Sequence, residues 1–267
     1  MRAPSSPDIK AVGANDAEYS RLIDPEQEKR EFAWTRNKRQ LIAATLAGLA
    51  DKKRGIDIGC RGGVNAVFYR QECGVEEMYG VDIDEIPLGA ARARGVRAAS
   101  WVSGASALPH PDGFFDVVIA TDVIEHILDT EAFVSELARV VRPGGTLIVT
   151  TPNQAWWWSR LRLLFGKVPA GGPGAALGLR ADPAIDLKHV RLSVAAEWRA
   201  LFKHYRLEEK TLKGYTFDIL HFPLRRLDNL ISSVSPTSAH SLLFVLEKAS
   251  SPHDEVSSPA GKGCLRA

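Results

Sequence analysis

The sequence predicts an α/β protein built on a doubly wound, mostly parallel sheet. Short apolar runs that suit buried strands alternate with longer segments of helical periodicity, and this alternation favours parallel pairing. The first strand, residues 55–58, leads into a glycine-rich turn at 59–63 and then into a helix. A second strand at 78–82 ends in an acid. A strand, glycine turn, helix and acid-ended strand in this order are typical of a nucleotide site.

The remaining elements continue the alternation. Further strands are expected at 98–102, 117–120, 146–150, 207–215 and 241–248, and helices at about 25–50, at 85–94, from Thr130, after Ser193 and over 217–234. The predicted domain covers residues 29–249, between a flexible arm at 1–28 and a disordered tail at 250–267. In the first helix Lys38 and Arg39 are expected to face water.

The helix from Thr130 has the clearest local signals. Asp129 or Thr130 is the expected cap, and apolar residues from Phe133 to Val141 fall on one face of the helix. The segment 142–145, Arg-Pro-Gly-Gly, should end the helix, because Pro then Gly suits the centre of a type II turn. One face of this helix is therefore expected to dock on the sheet.

Composition restricts the function classes. The chain has 267 residues with 45% hydrophobic residues and a formal net charge of only +2, so charge predicts no nucleic-acid partner. Its three cysteines show neither zinc nor redox spacing, and no metal site is predicted. We find no signal peptide and no apolar run long enough to cross a bilayer, so a cytoplasmic protein is expected.

The glycine turn by itself fits several sites. A dinucleotide site has the pattern G-x-G-x-x-G, but Arg61 occupies the second glycine position, and no Gly-Lys-Ser/Thr follows as a P-loop requires. Asp57 lies inside the first strand, two residues before Gly59. A carboxylate there suits a ligand that carries positive charge better than it suits a pyrophosphate.

Asp57-Ile-Gly-Cys60 followed by Tyr79-Gly-Val-Asp82 resembles the S-adenosylmethionine (SAM) site of class I methyltransferases of UbiE/UbiG-like type. Phe115–Ile119 with Asp122–His126, and Arg139–Gly145 with Thr151-Pro-Asn153, are similar to that family's fourth- and fifth-strand motifs. The resemblance covers roughly residues 35–249. It implies a seven-stranded Rossmann-like sheet with an antiparallel last strand, and SAM as cofactor. The implied cofactor residues are Asp57, Gly59, Cys60, Arg61, Gly63, Asp82, Ile83, Ala105 and Thr121.

Two positions depart from the family pattern. Arg61 replaces a glycine, so it either blocks the pocket or, if Gly62 adopts the strained conformation, grips the methionine carboxylate. Gly104 stands where relatives often have an acid that binds the adenine amine, which leaves the Ala105 N–H for the adenine edge. A second resemblance, to MetW-type methionine-biosynthesis proteins, is carried by Thr151-Pro-Asn153, Arg160-Leu161, Leu163-Leu164, Gly166, Pro169 and His189. It implies a non-catalytic module that acts with a partner enzyme, and Arg61 and Gly104 favour this alternative.

The predicted chemistry is methyl transfer to a small-molecule acceptor, most simply a hydroxyl group. His126 is the candidate base, because an imidazole titrates near neutral pH, although Glu125-His126 also fits a structural turn. His189 is a weaker candidate. The segment 153–190 should shape the acceptor site, Trp34 is a candidate to cover a ligand, and residues 156–167 have the apolar and basic pattern of a peripheral membrane contact. The sequence does not indicate the oligomeric state.

Overall fold

The computed structural model describes residue 32 and residues 35–167, 189–216 and 224–250. Within them the strands are β1 (Arg54–Ile58), β2 (Glu77–Asp82), β3 (Arg97–Ser100), β4 (Phe115–Thr121), β5 (Val141–Pro152), β6 (Leu207–Tyr215) and β7 (Ser241–Lys248). The α-helices are α1 (Arg36–Ala47), α2 (Val64–Cys73), α3 (Glu85–Ala93), α4 (Thr130–Val140), α5 (Trp157–Leu164), α6 (Ala195–His204) and α7 (Leu224–Val234).

The seven strands form one sheet in the order β3-β2-β1-β4-β5-β7-β6. The first five strands pair in parallel, whereas β7 is antiparallel to both β5 and β6. The predicted doubly wound sheet with an antiparallel last strand is therefore confirmed. The order reverses between β1 and β4, and the crevice at such a switch point is where open α/β sheets bind ligands.

Both faces of the sheet are buried, which explains the unbroken apolar runs of its central strands. In β4, Val117 and Ile119 pack with the face covered by α1, α2 and α3. Val118 and Ala120 belong to the opposite core, which α4 and α6 cover. Successive side chains alternate between the two faces of a strand, so a single short strand contributes to both cores.

Two acids fix the start of helices at the site edge of the sheet. The side chain of Asp129 accepts a hydrogen bond from the Ala132 N–H and caps α4, so one of the two predicted caps is confirmed. Asp84 caps α3 in the same way, by accepting from the Ile86 N–H. The predicted apolar face of α4 is buried against the sheet.

Two local predictions were wrong. β5 begins at Val141 rather than residue 146 and takes in the Pro-Gly segment, where Gly144 has φ +70° and the pairing with β4 shifts between Phe115 and Val117. Lys38 and Arg39 do not face water, since each is only 5% exposed. Both lie on the face of α1 that carries Ile42 and Leu46.

Several predictions fall outside the described residues. The arm at 1–28, Trp34, residues 168–188 of the predicted acceptor segment, residues 217–223 and the tail beyond residue 250 are among them. The described helices include none that combines the length and the apolar character needed to span a bilayer.

Candidate active site

The glycine turn joins β1 to α2 at the carboxyl edge of the sheet. The N–H groups of Gly59 and Cys60 both donate to the Val81 carbonyl, at 2.8 and 3.0 Å. Gly59 has φ +77°, and a Cβ there would lie 2.7 Å from Val123 Cγ2. Gly63 has φ +78° and is the N-cap residue of α2. Backbone conformation and close packing together require glycine at these two positions.

Arg61, not Gly62, adopts the left-handed conformation in this turn, with φ +48°. The expectation that Gly62 would take this strain was wrong. An ordinary residue pays on the order of 1 kcal/mol for a left-handed backbone. In this conformation the Arg61 N–H donates to Asp82 Oδ2 at 2.9 Å. The turn and the end of β2 are therefore joined by a hydrogen bond that Arg61 makes through its main chain.

Asp82 ends β2 and lies beside the glycine turn. Its other carboxylate oxygen accepts from the Asp84 N–H at 3.2 Å. Burial raises the pKa of Asp82, while these two backbone donors and the Arg61 guanidinium oppose the shift. Each carboxylate oxygen can accept more than one hydrogen bond, so Asp82 can still bind a pair of hydroxyl groups. The next side chain, Ile83, is 56% exposed.

The loop after β3 differs from the sequence interpretation in its hydrogen bonding. Gly104 has φ +80° and open space where a Cβ would stand, so backbone conformation accounts for the glycine. The Ala105 N–H, predicted for the adenine edge, donates to the Val102 carbonyl at 3.2 Å. Contact with adenine would have to share this donor.

Asp57 and Cys60 are buried beneath the turn. Burial raises the pKa of Asp57 to about 7, Lys38 lowers it, and Asp82 raises it further. Burial also raises the pKa of the Cys60 thiol. A Cβ on Gly80 would stand 2.6 Å from Cys60 Sγ, so Cys60 packs tightly against β2. Cys60 is thus a packing residue, whereas Asp57 is a buried acid that ionises near neutral pH.

A network that the sequence analysis missed surrounds Asp122, directly after Thr121 at the end of β4. The Lys38 ammonium group donates to Asp122 Oδ2 at 2.6 Å. Asp122 Oδ1 accepts from Thr150 Oγ1 at 2.8 Å and from the Tyr215 hydroxyl at 3.3 Å. Burial alone would raise the pKa of Asp122, but Lys38 and these hydrogen bonds lower it overall.

Two signals in the sequence pointed to this network. Lys38, Ile42 and Leu46 are spaced four residues apart, so they share one face of α1, and the two apolar members are fully buried. Asp122 follows an unbroken apolar strand, which places it at the carboxyl edge where ligands bind. Tyr215 and Thr150 had no comparable signal, because only the tertiary fold brings their strands to Asp122.

His126 lies beyond the end of β4, in a short 3₁₀ turn from Ile124 to His126. The rings of His126 and His189 are 5.0 Å apart between centroids. Glu125, between Ile124 and His126, is fully buried, and its carbonyl accepts from the N–H groups of Val190 and Arg191 at 2.9 and 3.0 Å. These two bonds hold the His189 segment against the 3₁₀ turn.

A tryptophan pair connects the acceptor segment to α7. The indole N–H groups of Trp156 and Trp157 both donate to Asp228 Oδ1 at 2.7 Å. At the far end of α5, Leu164 and Phe165 are 81% and 73% exposed. The C-terminal end of α5 therefore presents apolar side chains to solvent.

Residues 56–149 match the sequence family described as a methyltransferase domain. This range runs from β1 into β5 and includes the glycine turn, Asp82 and the Glu125-His126 pair. Residues 56–149 are therefore similar to a methyltransferase domain. The sheet order, the glycine turn and the acid at the end of β2 are consistent with this similarity.

Individual curated relatives show the same similarity to methyltransferases. A probable S-adenosylmethionine-dependent methyltransferase of Mycobacterium tuberculosis is 35% identical over 124 residues, 46% of this chain and 44% of the relative. A ubiquinone biosynthesis O-methyltransferase of Sinorhizobium medicae is 35% identical over 105 residues, 38% of this chain and 42% of the relative. The chain thus spans less than half the length of these two curated relatives.

Solved structures show the fold over a longer range. A complex between the Haloferax volcanii Trm112 methyltransferase activator and a methyltransferase contains a chain that aligns with a TM-score of 0.58 and 16% identity. The alignment covers 88% of this chain and 96% of that one. At this identity the similarity shows the fold alone. None of these matches supports the alternative of a non-catalytic MetW-type module.

Proposed function

We propose that this chain is a SAM-dependent methyltransferase that acts on a hydroxyl group of a small-molecule acceptor. The observation that carries the proposal is the set of carboxyl groups at the carboxyl edge of the sheet, namely Asp57, Asp82, Asp122 and Glu125. Burial raises the pKa of Asp57 to about 7 and raises that of Glu125 well above its ordinary value. Perturbed acids in a ligand crevice are typical of functional sites.

The carboxyl groups outnumber the cations that interact with them. Lys38 lowers the pKa of both Asp57 and Asp122, and Arg61 lowers that of Asp82. A ligand with a sulfonium and an ammonium group would add positive charge where this part of the chain is acidic. A nucleotide pyrophosphate would instead be repelled, and the turn lacks the lysine of a P-loop.

Different described residues would bind the ribose, the adenine and the methionyl end of SAM. Asp82 would accept from the ribose hydroxyls, and the exposed Ile83 would cover one face of the adenine ring. The glycine turn and Asp57 would bind the methionyl end, with Arg61 as the partner of its carboxylate. Thr121 and Cys60 would line the crevice beneath the turn. SAM, when bound, supplies an electrophilic methyl carbon.

His126 is the residue that we assign to the acceptor hydroxyl. A neutral imidazole can accept the hydroxyl proton as the oxygen–methyl bond forms and the sulfur–methyl bond breaks. Its place on the 3₁₀ turn after β4 puts it beyond Thr121 and Asp122, on the side of the edge away from Asp82. The chain otherwise contributes orientation and exclusion of water, which are the main needs of an in-line displacement.

The acceptor would enter beside α5 and α7. Trp157 is held by Asp228, while Leu161, Leu164 and Phe165 supply an apolar surface flanked by basic residues such as Arg160. This pattern supports a lipophilic acceptor, and it also supports a peripheral contact with a membrane surface through residues 156–167.

Turnover of SAM tests the proposal. The purified chain should convert SAM to S-adenosylhomocysteine in the presence of one or more members of a panel of lipophilic phenols and alcohols, with the methyl group found on oxygen in the product. Products methylated only on nitrogen would contradict the hydroxyl acceptor while retaining the transferase. Tight SAM binding with no turnover across phenols, alcohols and amines would contradict both.

A further inference from the structure

The backbone brings three metal-binding side chains together at the acceptor side of the site. Glu125, His126 and His189 each offer one ligand atom, and these atoms all lie within 4.8 Å of one another. The two hydrogen bonds from Val190 and Arg191 to the Glu125 carbonyl fix His189 beside the 3₁₀ turn. Main-chain hydrogen bonds therefore hold the two histidine-bearing segments of the cluster together.

Of the three residues in this cluster, Glu125 gives the strongest indication of a bound ion. The residue is completely buried, and among the described residues neither of its carboxylate oxygens has a hydrogen bond of normal geometry. Buried polar groups without partners are rare in folded proteins, and an ion bound to them is one common explanation.

We propose that Glu125, His126 and His189 bind one divalent transition-metal ion of the Zn²⁺ type. Two imidazoles with one carboxylate favour such ions over Mg²⁺, which prefers oxygen ligands. Metal–ligand bonds of about 2.0–2.2 Å require ligand atoms to approach within roughly 3.5 Å of one another, so side-chain rotations of about 1 Å would complete the site. His126 is exposed and can make such a rotation without disturbing the core.

The three protein ligands leave at least one position open, as in catalytic zinc sites. Resting on the proposed function, we infer that this position receives the acceptor oxygen. A bound cation lowers the pKa of a hydroxyl group that coordinates to it, so the acceptor would release its proton to solvent before its oxygen attacks the methyl carbon. With the ion bound, His126 would serve the acceptor hydroxyl as a metal ligand, and the solvent would replace it as the proton acceptor. The cation would also place positive charge beside Glu125, which is completely buried.

Metal binding is tested directly by calorimetric titration of the full chain, freed of any purification tag and stripped of metal by chelation, with Zn²⁺ and separately with Mg²⁺. We expect one Zn²⁺ ion per chain and at least 100-fold weaker binding of Mg²⁺. The variants His126→Ala and His189→Ala should each bind Zn²⁺ at least tenfold more weakly. His204→Ala, which removes an exposed histidine on α6 outside the cluster, is the matched control and should bind as the parent does.

Absence of Zn²⁺ binding to the parent chain would overturn the inference, as would equal affinity in His126→Ala and the control. His126→Ala is the decisive variant because the residue is exposed and its loss leaves the core intact. SAM affinity, measured on the same samples, separates the two proposals. Zn²⁺ binding without SAM binding would contradict the proposed function alone, whereas SAM binding without Zn²⁺ binding would contradict the metal site alone.

Discussion

At the scale of the residue, Arg61 is the main departure from the methyltransferase pattern that this chain resembles. It replaces a glycine yet keeps the left-handed backbone that glycine would favour, and its N–H binds Asp82. Residues with a strained backbone conformation cluster at functional sites, where the side chain often has a binding role. We infer that the guanidinium group grips the carboxylate of SAM.

Arg61→Gly tests this inference through two effects of opposite sign. The variant should unfold at a higher temperature, because up to about 1 kcal/mol of backbone strain is relieved. It should bind SAM more weakly, by about 1 kcal/mol or roughly fivefold, because an exposed ion pair is lost. Calorimetry with 5′-methylthioadenosine, which lacks the carboxylate, is the control and should show a smaller loss. Tighter SAM binding by the variant would mean that Arg61 obstructs the pocket.

If SAM binds beside Asp57 as proposed, its affinity should depend on pH. The Asp57 pKa of about 7 means that the carboxyl group is mostly protonated at pH 6 and about half ionised at pH 7. A cationic ligand favours the ionised form, so affinity should rise with pH, by about fivefold from pH 6 to pH 7 if the ligand binds only that form. Asp57→Asn should remove this dependence. Affinity that is flat or falls over this interval in the parent chain would contradict the assignment.

At the scale of the element, α5 and α7 are joined through one side chain. Asp228 accepts both indole N–H groups, from Trp156 and Trp157, and is itself completely buried. Charge-assisted hydrogen bonds of this kind are among the stronger polar contacts. The pair of helices should therefore move as one unit at the acceptor side, apart from the glycine turn and Asp82.

Asp228→Ala should affect acceptor binding without affecting SAM binding. Losing both indole contacts should destabilise the chain by about 2–4 kcal/mol, and Asp228→Asn, which keeps one carbonyl oxygen, should lose less. In conditions where the variant stays folded, SAM affinity should change by less than twofold while KM for the acceptor rises. A collapse of SAM affinity in folded Asp228→Ala would place α7 in the cofactor site.

At the scale of the whole molecule, the fold was predictable because several independent signals agreed. Alternating apolar runs, a glycine turn and the acid at Asp82 each pointed to the same sheet, and the cap at Asp129 was visible in the local sequence. The boundaries of β5 were harder to predict, because a Pro-Gly turn signal lies within its pairing with β4.

The site was only partly predictable. Residues at or shortly after the end of a strand, such as Asp82 and His126, could be placed at the edge from the topology alone. Lys38 was assigned to solvent because charged residues are usually exposed, although its spacing with Ile42 and Leu46 indicated the buried face. His189 and Tyr215 come from distant parts of the chain, and only tertiary packing brings them to Glu125 and Asp122.

The central claim is that the carboxyl edge of this sheet binds SAM, with Asp82 on the ribose. Calorimetric titration of the full chain with SAM, beside Asp82→Ala, tests it most directly. We expect one SAM molecule per chain and a loss of about 1.5–3 kcal/mol, roughly 10- to 150-fold in Kd, in a variant whose circular dichroism matches the parent. A parent chain that does not bind SAM, or a folded Asp82→Ala chain that binds it unchanged, would contradict the claim.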